Sequence, residues 1–137
     1  MGSARIIVGP GILDEVTQHA CRCFPEEGCG FLVGKEYCIE RFVPAENTLR
    51  SKIAYSVEPR FLFELFRHLR ASGEDLIGIY HSHPSEEAFP SERDIAEAHY
   101  PDTVQVIVSL RDENQPVIRA FRLTKEGVAE IELHAIV

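Results

Sequence analysis

The chain has 137 residues, of which 45% are hydrophobic and 26% charged, the balance of a soluble domain that needs no disulfide or metal staple to fold. Fourteen Lys and Arg against twenty-two Asp and Glu leave a net charge of −8. With no Lys/Arg run to form a basic stripe, this argues against binding to a phosphate backbone, and runs such as VQVIV fall far short of the ~20 apolar residues that cross a bilayer.

ARIIV at the start reads as a first strand. Residues 11–23 carry Ile12, Val16 and Ala20 at four-residue spacing, the apolar stripe of an amphipathic helix. GCGFLVG, after Pro25, is a short apolar run with glycines and is read as a strand; residues 37–43 continue as the next, and the alternation of Ile53, Tyr55 and Val57 predicts a third. EPRFLFELFRHLRASG predicts a helix with Pro59 in its first turn, Phe61, Leu65, Phe66 and Leu69 on one face, and Gly73 just past its end. Residues 76–80 are apolar and lead into His81, residues 91–99 are expected to be helical, and strands are expected over 103–110, 117–123 and 128–136. There is no repeat, low-complexity tract or linker, so residues 1–137 are read as a single domain. Strands and helices do not alternate strictly, which points to an α+β fold with a mixed, mostly antiparallel sheet and helices packed on it.

Four cysteines stand at positions 21, 23, 29 and 38. MGSARIIVGP has none of the features of an export signal, so a cytoplasmic, reducing setting and free thiols are expected. No second Cys/His pair stands at zinc-finger spacing from Cys21 and Cys23.

The chemistry concentrates in HSHPSEEAFPSERD, residues 81–94. Two histidines at i and i+2 on a strand face the same way, their Cα atoms about 7 Å apart, so the imidazoles of His81 and His83 can converge on one zinc ion. A catalytic zinc takes three protein ligands and keeps one position open, and Asp94 could be the third if the proline-bounded loop folds back. Ser91 and Asp94 also match Ser-x-x-Asp, a capping box in which Ser91 starts a helix and Asp94 reaches back to it. On residue types alone these two readings compete for the Asp94 carboxylate. A hydrolytic site further needs a proton shuttle, for which Glu26 and Glu27, just before an apolar strand, are the candidates.

Glu27, then His81-Ser82-His83, seven residues, Ser91, two residues and Asp94 together resemble the motif of the JAMM (MPN-domain) metallopeptidases, and PEEGCGFLVG is similar to that family's segment around its glutamate. The resemblance implies that His81, His83 and Asp94 bind zinc, that Ser91 donates to a developing oxyanion, and that Glu27 rather than Glu26 is the general acid/base. It implies a curved mixed sheet flanked by helices, similar to the cytidine-deaminase architecture. The bare length is most like the small bacterial members, which implies cleavage of the amide bond after the C-terminal Gly-Gly of a ubiquitin-like sulfur-carrier protein, with release of cysteine or a short extension. An isopeptidase acting on ubiquitin-like conjugates and a non-catalytic MPN assembly module are the alternatives. FLFELF carries enough apolar surface to make a homodimer an expectation.

Overall fold

The computed structural model describes residues 5–98, 100 and 102–137. Among the described residues, seven strands and three helices follow in the order β1 (Arg5–Val8), α1 (Ile12–Cys23), β2 (Cys29–Lys35), β3 (Cys38–Ala45), α2 (Pro59–Ser72), β4 (Asp75–His83), α3 (Glu92–Ala96), β5 (Val104–Ser109), β6 (Val117–Thr124) and β7 (Gly127–Ala135). Hydrogen bonding orders the strands β1-β3-β2-β4-β5-β6-β7, and β7 pairs with β1 to close the sheet. The sheet is mixed, as the sequence implies. Where the resemblance implies a curved sheet, the sheet here is closed, because β1 and β7 pair in parallel, Arg5 opposite Glu132 through Val8 opposite Ala135, a contact between segments too far apart for local patterning to reveal.

Alternation along the strands separates two apolar layers. Leu32 and Tyr80 face one way and pack with Ile12, Val16 and Ala20, the buried stripe of α1. Phe31, Val33 and Ile79 face the other way, under Leu65 and Leu69 of α2. Strand β4 is covered on both sides, which is why it reads as a continuous apolar run. The α2 helix begins with Glu58, whose carboxylate accepts the Arg60 N–H, and ends on Gly73 in the left-handed region at φ 76°, a conformation glycine adopts without Cβ strain.

Two expected elements differ. Residues 46–58 form no strand: the Thr48 N–H donates to the Ser56 carbonyl at 2.9 Å, and the Asn47 side chain pairs with the N–H groups of Leu49 and Ser56 and the carbonyl of Ala54. The alternation of Tyr55 and Val57 comes from lining a cavity beside the sheet, where both side chains find apolar neighbours without a strand partner. The helix expected over 91–99 is cut to Glu92–Ala96, with a tightened last turn in which the Ala98 N–H donates to the Ile95 carbonyl at 3.3 Å; residue 99 lies outside the described residues.

Candidate functional site

The register places the chemistry. On β4, Ile79, His81 and His83 share the α2 face; His81 pairs with Cys29 of β2 on one side and Ile107 of β5 on the other. A strand hydrogen-bonded on both edges fixes its side-chain directions, and both imidazoles are buried, 1% and 4% exposed. The chain then turns through residues 84–90 and enters α3 at Ser91. There the capping box forms in full: Ser91 Oγ accepts the Asp94 N–H at 3.0 Å, and Asp94 Oδ2 accepts the Ser91 N–H at 2.8 Å.

The same Oδ2 lies 3.1 Å from His81 Nε2 and 3.1 Å from His83 Nε2, and the two Nε2 atoms are 3.1 Å apart. The competition expected for Asp94 therefore does not arise. The cap orients the carboxylate, and one oxygen serves both the helix terminus and the histidines. His83 Nδ1 donates to the Glu87 carbonyl at 2.8 Å, which fixes the tautomer and turns the Nε2 lone pair toward the cluster. His81 Nδ1 is buried without a hydrogen-bond partner among the described residues; its ring is held by stacking instead, against Tyr55 at 5.1 Å between centroids and 21° between planes.

This donor set fits a zinc ion. Three N and O donors at 2.0–2.1 Å from one ion in tetrahedral directions lie about 3.3 Å from one another, close to the equilateral 3.1 Å triangle present here. Two imidazole lone pairs and a carboxylate aimed at one point repel unless something positive sits among them. In the metal-free protein an imidazole N–H can stand in for the ion: burial alone would raise the Asp94 carboxyl, but hydrogen bonds from protonated His81 and His83 outweigh it and hold that group below the usual carboxylate range. For His83, burial would lower the imidazole, yet hydrogen bonds to Asp94 and the Glu87 carbonyl raise it overall.

Glu27 stands two residues before β2, 4% exposed, and Oε1 is buried without a partner among the described residues. Burial pushes its carboxyl up from 4.5 to about 8, with His83 pulling against the rise and Asp94 adding to it. Glu26, the other candidate, is half-buried. The backbone around Glu27 is held from two sides. Toward β4, the Gly28 N–H donates to Ser82 Oγ at 2.7 Å and the Ser82 N–H donates to the Gly28 carbonyl at 3.0 Å. Toward the 46–58 loop, the Glu27 N–H donates to the Ser51 carbonyl at 2.8 Å, and Asn47 Nδ2 donates to the Glu27 carbonyl at 3.0 Å.

Asn47 also donates to the Ala54 carbonyl at 3.0 Å and accepts from Leu49 and Ser56 at 3.1 and 3.2 Å, so its amide is fully used. Sequence reasoning missed Asn47, Ser82 and Tyr55. Ser82 had a signal, since it lies between the two histidines and must face the opposite layer. Asn47 had none, because its partners are main-chain groups of an irregular loop and of Glu27, twenty residues back.

Beside the cluster a cavity of about 360 Å³ opens on the same sheet face. Its floor is the rung Phe31–Ile79–Gln105, adjacent to the rung that carries His81. Tyr55 and Val57 of the loop, Leu62 of α2, and Asp94, Glu97 and Ala98 from α3 and the residues after it form the walls.

A closed mixed sheet with helices on both faces, and a buried His-His-Asp cluster able to hold a metal ion, define the class of protein. The chain belongs to the prokaryotic homologs of the JAB domain, whose family profile matches residues 10–124. It is similar to the CysO-cysteine peptidase of Mycobacterium tuberculosis, 31% identical over 133 residues that cover 96% of this chain and 91% of that protein. It is also similar to a probable TtuB-protein conjugate cleaving protease of Thermus thermophilus, 38% identical over 96 residues, 69% of this chain and 64% of that one. Among solved structures, a protein of Desulfitobacterium hafniense superposes with a TM-score of 0.86 at 31% identity, covering 96% of this chain and 92% of the other.

Proposed function

We propose that this chain is a JAMM-type zinc peptidase that hydrolyses the amide bond following the C-terminal Gly-Gly of a ubiquitin-like sulfur-carrier protein. The observation that carries the reading is the triangle of His81, His83 and Asp94 with the partnerless Glu27 carboxyl held nearby. The names of the relatives, a CysO-cysteine peptidase and a TtuB-conjugate cleaving protease, support the substrate class.

In this reading His81 Nε2, His83 Nε2 and Asp94 Oδ2 hold the zinc. When bound, the ion supplies Lewis acidity, polarising the scissile carbonyl and lowering the pKa of a water toward about 7. The Glu27 carboxylate accepts a proton from the attacking water, and no donor among the described residues competes for its buried Oε1. Its raised pKa makes it a base strong enough to take that proton and an acid able to give it up again. The proton passes to the amine nitrogen as the new C–O bond forms and the C–N bond breaks. Ser91 Oγ already accepts from the Asp94 N–H, which leaves its own O–H free to donate to the carbonyl oxygen as charge develops there, a contribution of about 3–4 kcal/mol for one such donor.

The test is mass spectrometry of a carrier–cysteine adduct incubated with zinc-loaded protein. The reading expects loss of one cysteine and a carrier ending in Gly-Gly. An intact adduct, alongside cleavage of an unrelated peptide, overturns it.

A further inference from the structure

We infer that Ser109, outside the ligand set, is a positioning residue for the cation site: its hydroxyl pins the Glu86 carbonyl and so keeps the neighbouring Glu87 carbonyl where it takes the proton of His83 Nδ1. This rests on the proposed peptidase reading, in which His83 holds the zinc, and adds to it a residue that sets how tightly the ion is held.

The segment between the ligands shows why a pin is needed. Residues 84–90 join His83, at the end of β4, to the Ser91 cap that orients Asp94, and they form no strand or helix. The sheet fixes the main chain of His83, through its register with Ser109 and the Leu110 N–H that donates to the His83 carbonyl at 3.0 Å. It does not fix how the imidazole is turned; the bond from Nδ1 to the Glu87 carbonyl does that. Among the described residues, the main chain of 84–90 is hydrogen-bonded to the rest of the protein at two points, Glu87 to His83 Nδ1 at 2.8 Å and Glu86 to Ser109 Oγ at 2.5 Å. Without the hydroxyl, the remaining bond would come from the very ring it is meant to orient.

The surroundings of Ser109 fit this role. It is 4% exposed at the end of the mostly apolar β5, where a hydroxyl is costly unless paired. Both of its capacities are used: the O–H donates to the Glu86 carbonyl, and the oxygen accepts the Arg111 N–H at 3.2 Å. Packing backs the pin from the other side of Glu87. Ala88 is buried in a cluster with Ile107, Phe121 and Leu123, and Phe89 meets the Phe121 ring edge-on at 5.3 Å. A methyl group and a ring hold the segment against the sheet, but neither sets the direction of a carbonyl. The Ser109 hydroxyl does.

The experiment titrates metal-free protein with zinc against a chromophoric chelator of known affinity. Ser109→Ala is expected to raise the zinc Kd about 10- to 100-fold, the usual worth of a group that orients a metal ligand. Ser109→Thr keeps the hydroxyl and should stay close to wild type. Ser109→Val has the same shape as the threonine variant without the hydroxyl; it should lose affinity as the alanine variant does, and it serves if that one fails to fold. Ile131→Val, a core change in the opposite apolar layer, lowers stability without touching the segment and should leave the Kd in place. A second readout follows the ring itself. In cobalt-loaded protein the shifted Nδ1–H proton signal of His83 should exchange with solvent faster in Ser109→Val than in Ser109→Thr. Equal zinc affinities in Ser109→Val and Ser109→Thr, or a loss in Ile131→Val as large as in Ser109→Ala, overturns the inference. Wild-type protein that binds no zinc would instead sink the peptidase reading itself, so the two failures are distinguishable.

Discussion

The two halves of the site are built by different means. The donors His81 and His83 lie on β4, paired on both edges with β2 and β5, and Asp94 is set by a helix cap only eleven residues on from His83. Main-chain ladders and one local turn position all three. Glu27 precedes its strand, and its own N–H and C=O bond to a loop about twenty residues away, through Ser51 and the Asn47 amide. One half is a rigid lattice product, whereas the other depends on a few side-chain hydrogen bonds. The cation-holding half should therefore tolerate changes that disable the proton-handling half, and the predictions below probe that asymmetry.

The largest effect is expected at Glu27. Glu27→Gln keeps the shape of the side chain and leaves the His-His-Asp donors untouched. It should retain stoichiometric zinc while kcat falls 10²- to 10⁴-fold, the usual worth of a positioned acid/base. Parallel metal analysis and steady-state kinetics check it; turnover near wild type would move the proton-handling role elsewhere.

Next comes Asn47. Removing its amide strips the loop of four hydrogen bonds, including the one to the Glu27 carbonyl. Asn47→Ala is expected to lower kcat about tenfold or more with zinc content unchanged. In the Glu27→Gln background the same change should cost little further, because residues that act as a unit are non-additive. Equal losses in both backgrounds would show that Asn47 supports the fold in general and not the glutamate.

A separate effect is on stability, and it has the opposite sign. Glu27 binds its proton more tightly folded than unfolded, with a pKa near 8 against an ordinary 4.5. The folded state therefore loses stability as pH rises through that window, once the buried carboxyl must ionise. For metal-free protein, Glu27→Gln should be about as stable as wild type at pH 4.5 and more stable at pH 8, by on the order of 3 kcal/mol. Denaturant midpoints at the two pH values measure this. A difference that does not grow with pH would mean the carboxyl is not desolvated.

The same contrast explains what could be read from the sequence. The shared face of His81 and His83 and the Ser91–Asp94 cap were legible because strand period and cap spacing are short-range rules; that the four residues form one site was implied only by the family resemblance. The helices over 12–23 and 59–72 were legible from their apolar stripes and from Gly73. The strand expected around Tyr55 failed because alternation records only where side chains find apolar neighbours; here the neighbours are a histidine ring and the cavity, with no sheet partner. Closure of the sheet was hidden because β1 and β7 meet from opposite ends of the chain. Ser109 passed unnoticed at the end of VQVIVS, since one polar residue closing an apolar run says nothing about what its hydroxyl faces.

The central claim is that His81, His83 and Asp94 share one cation, and zinc titration of metal-free protein by calorimetry tests it most directly. The account predicts one tight zinc per chain in wild type and in Glu27→Gln, and loss of that binding in both His83→Ala and Asp94→Ala. Tight, stoichiometric zinc surviving in either of the last two variants would contradict it.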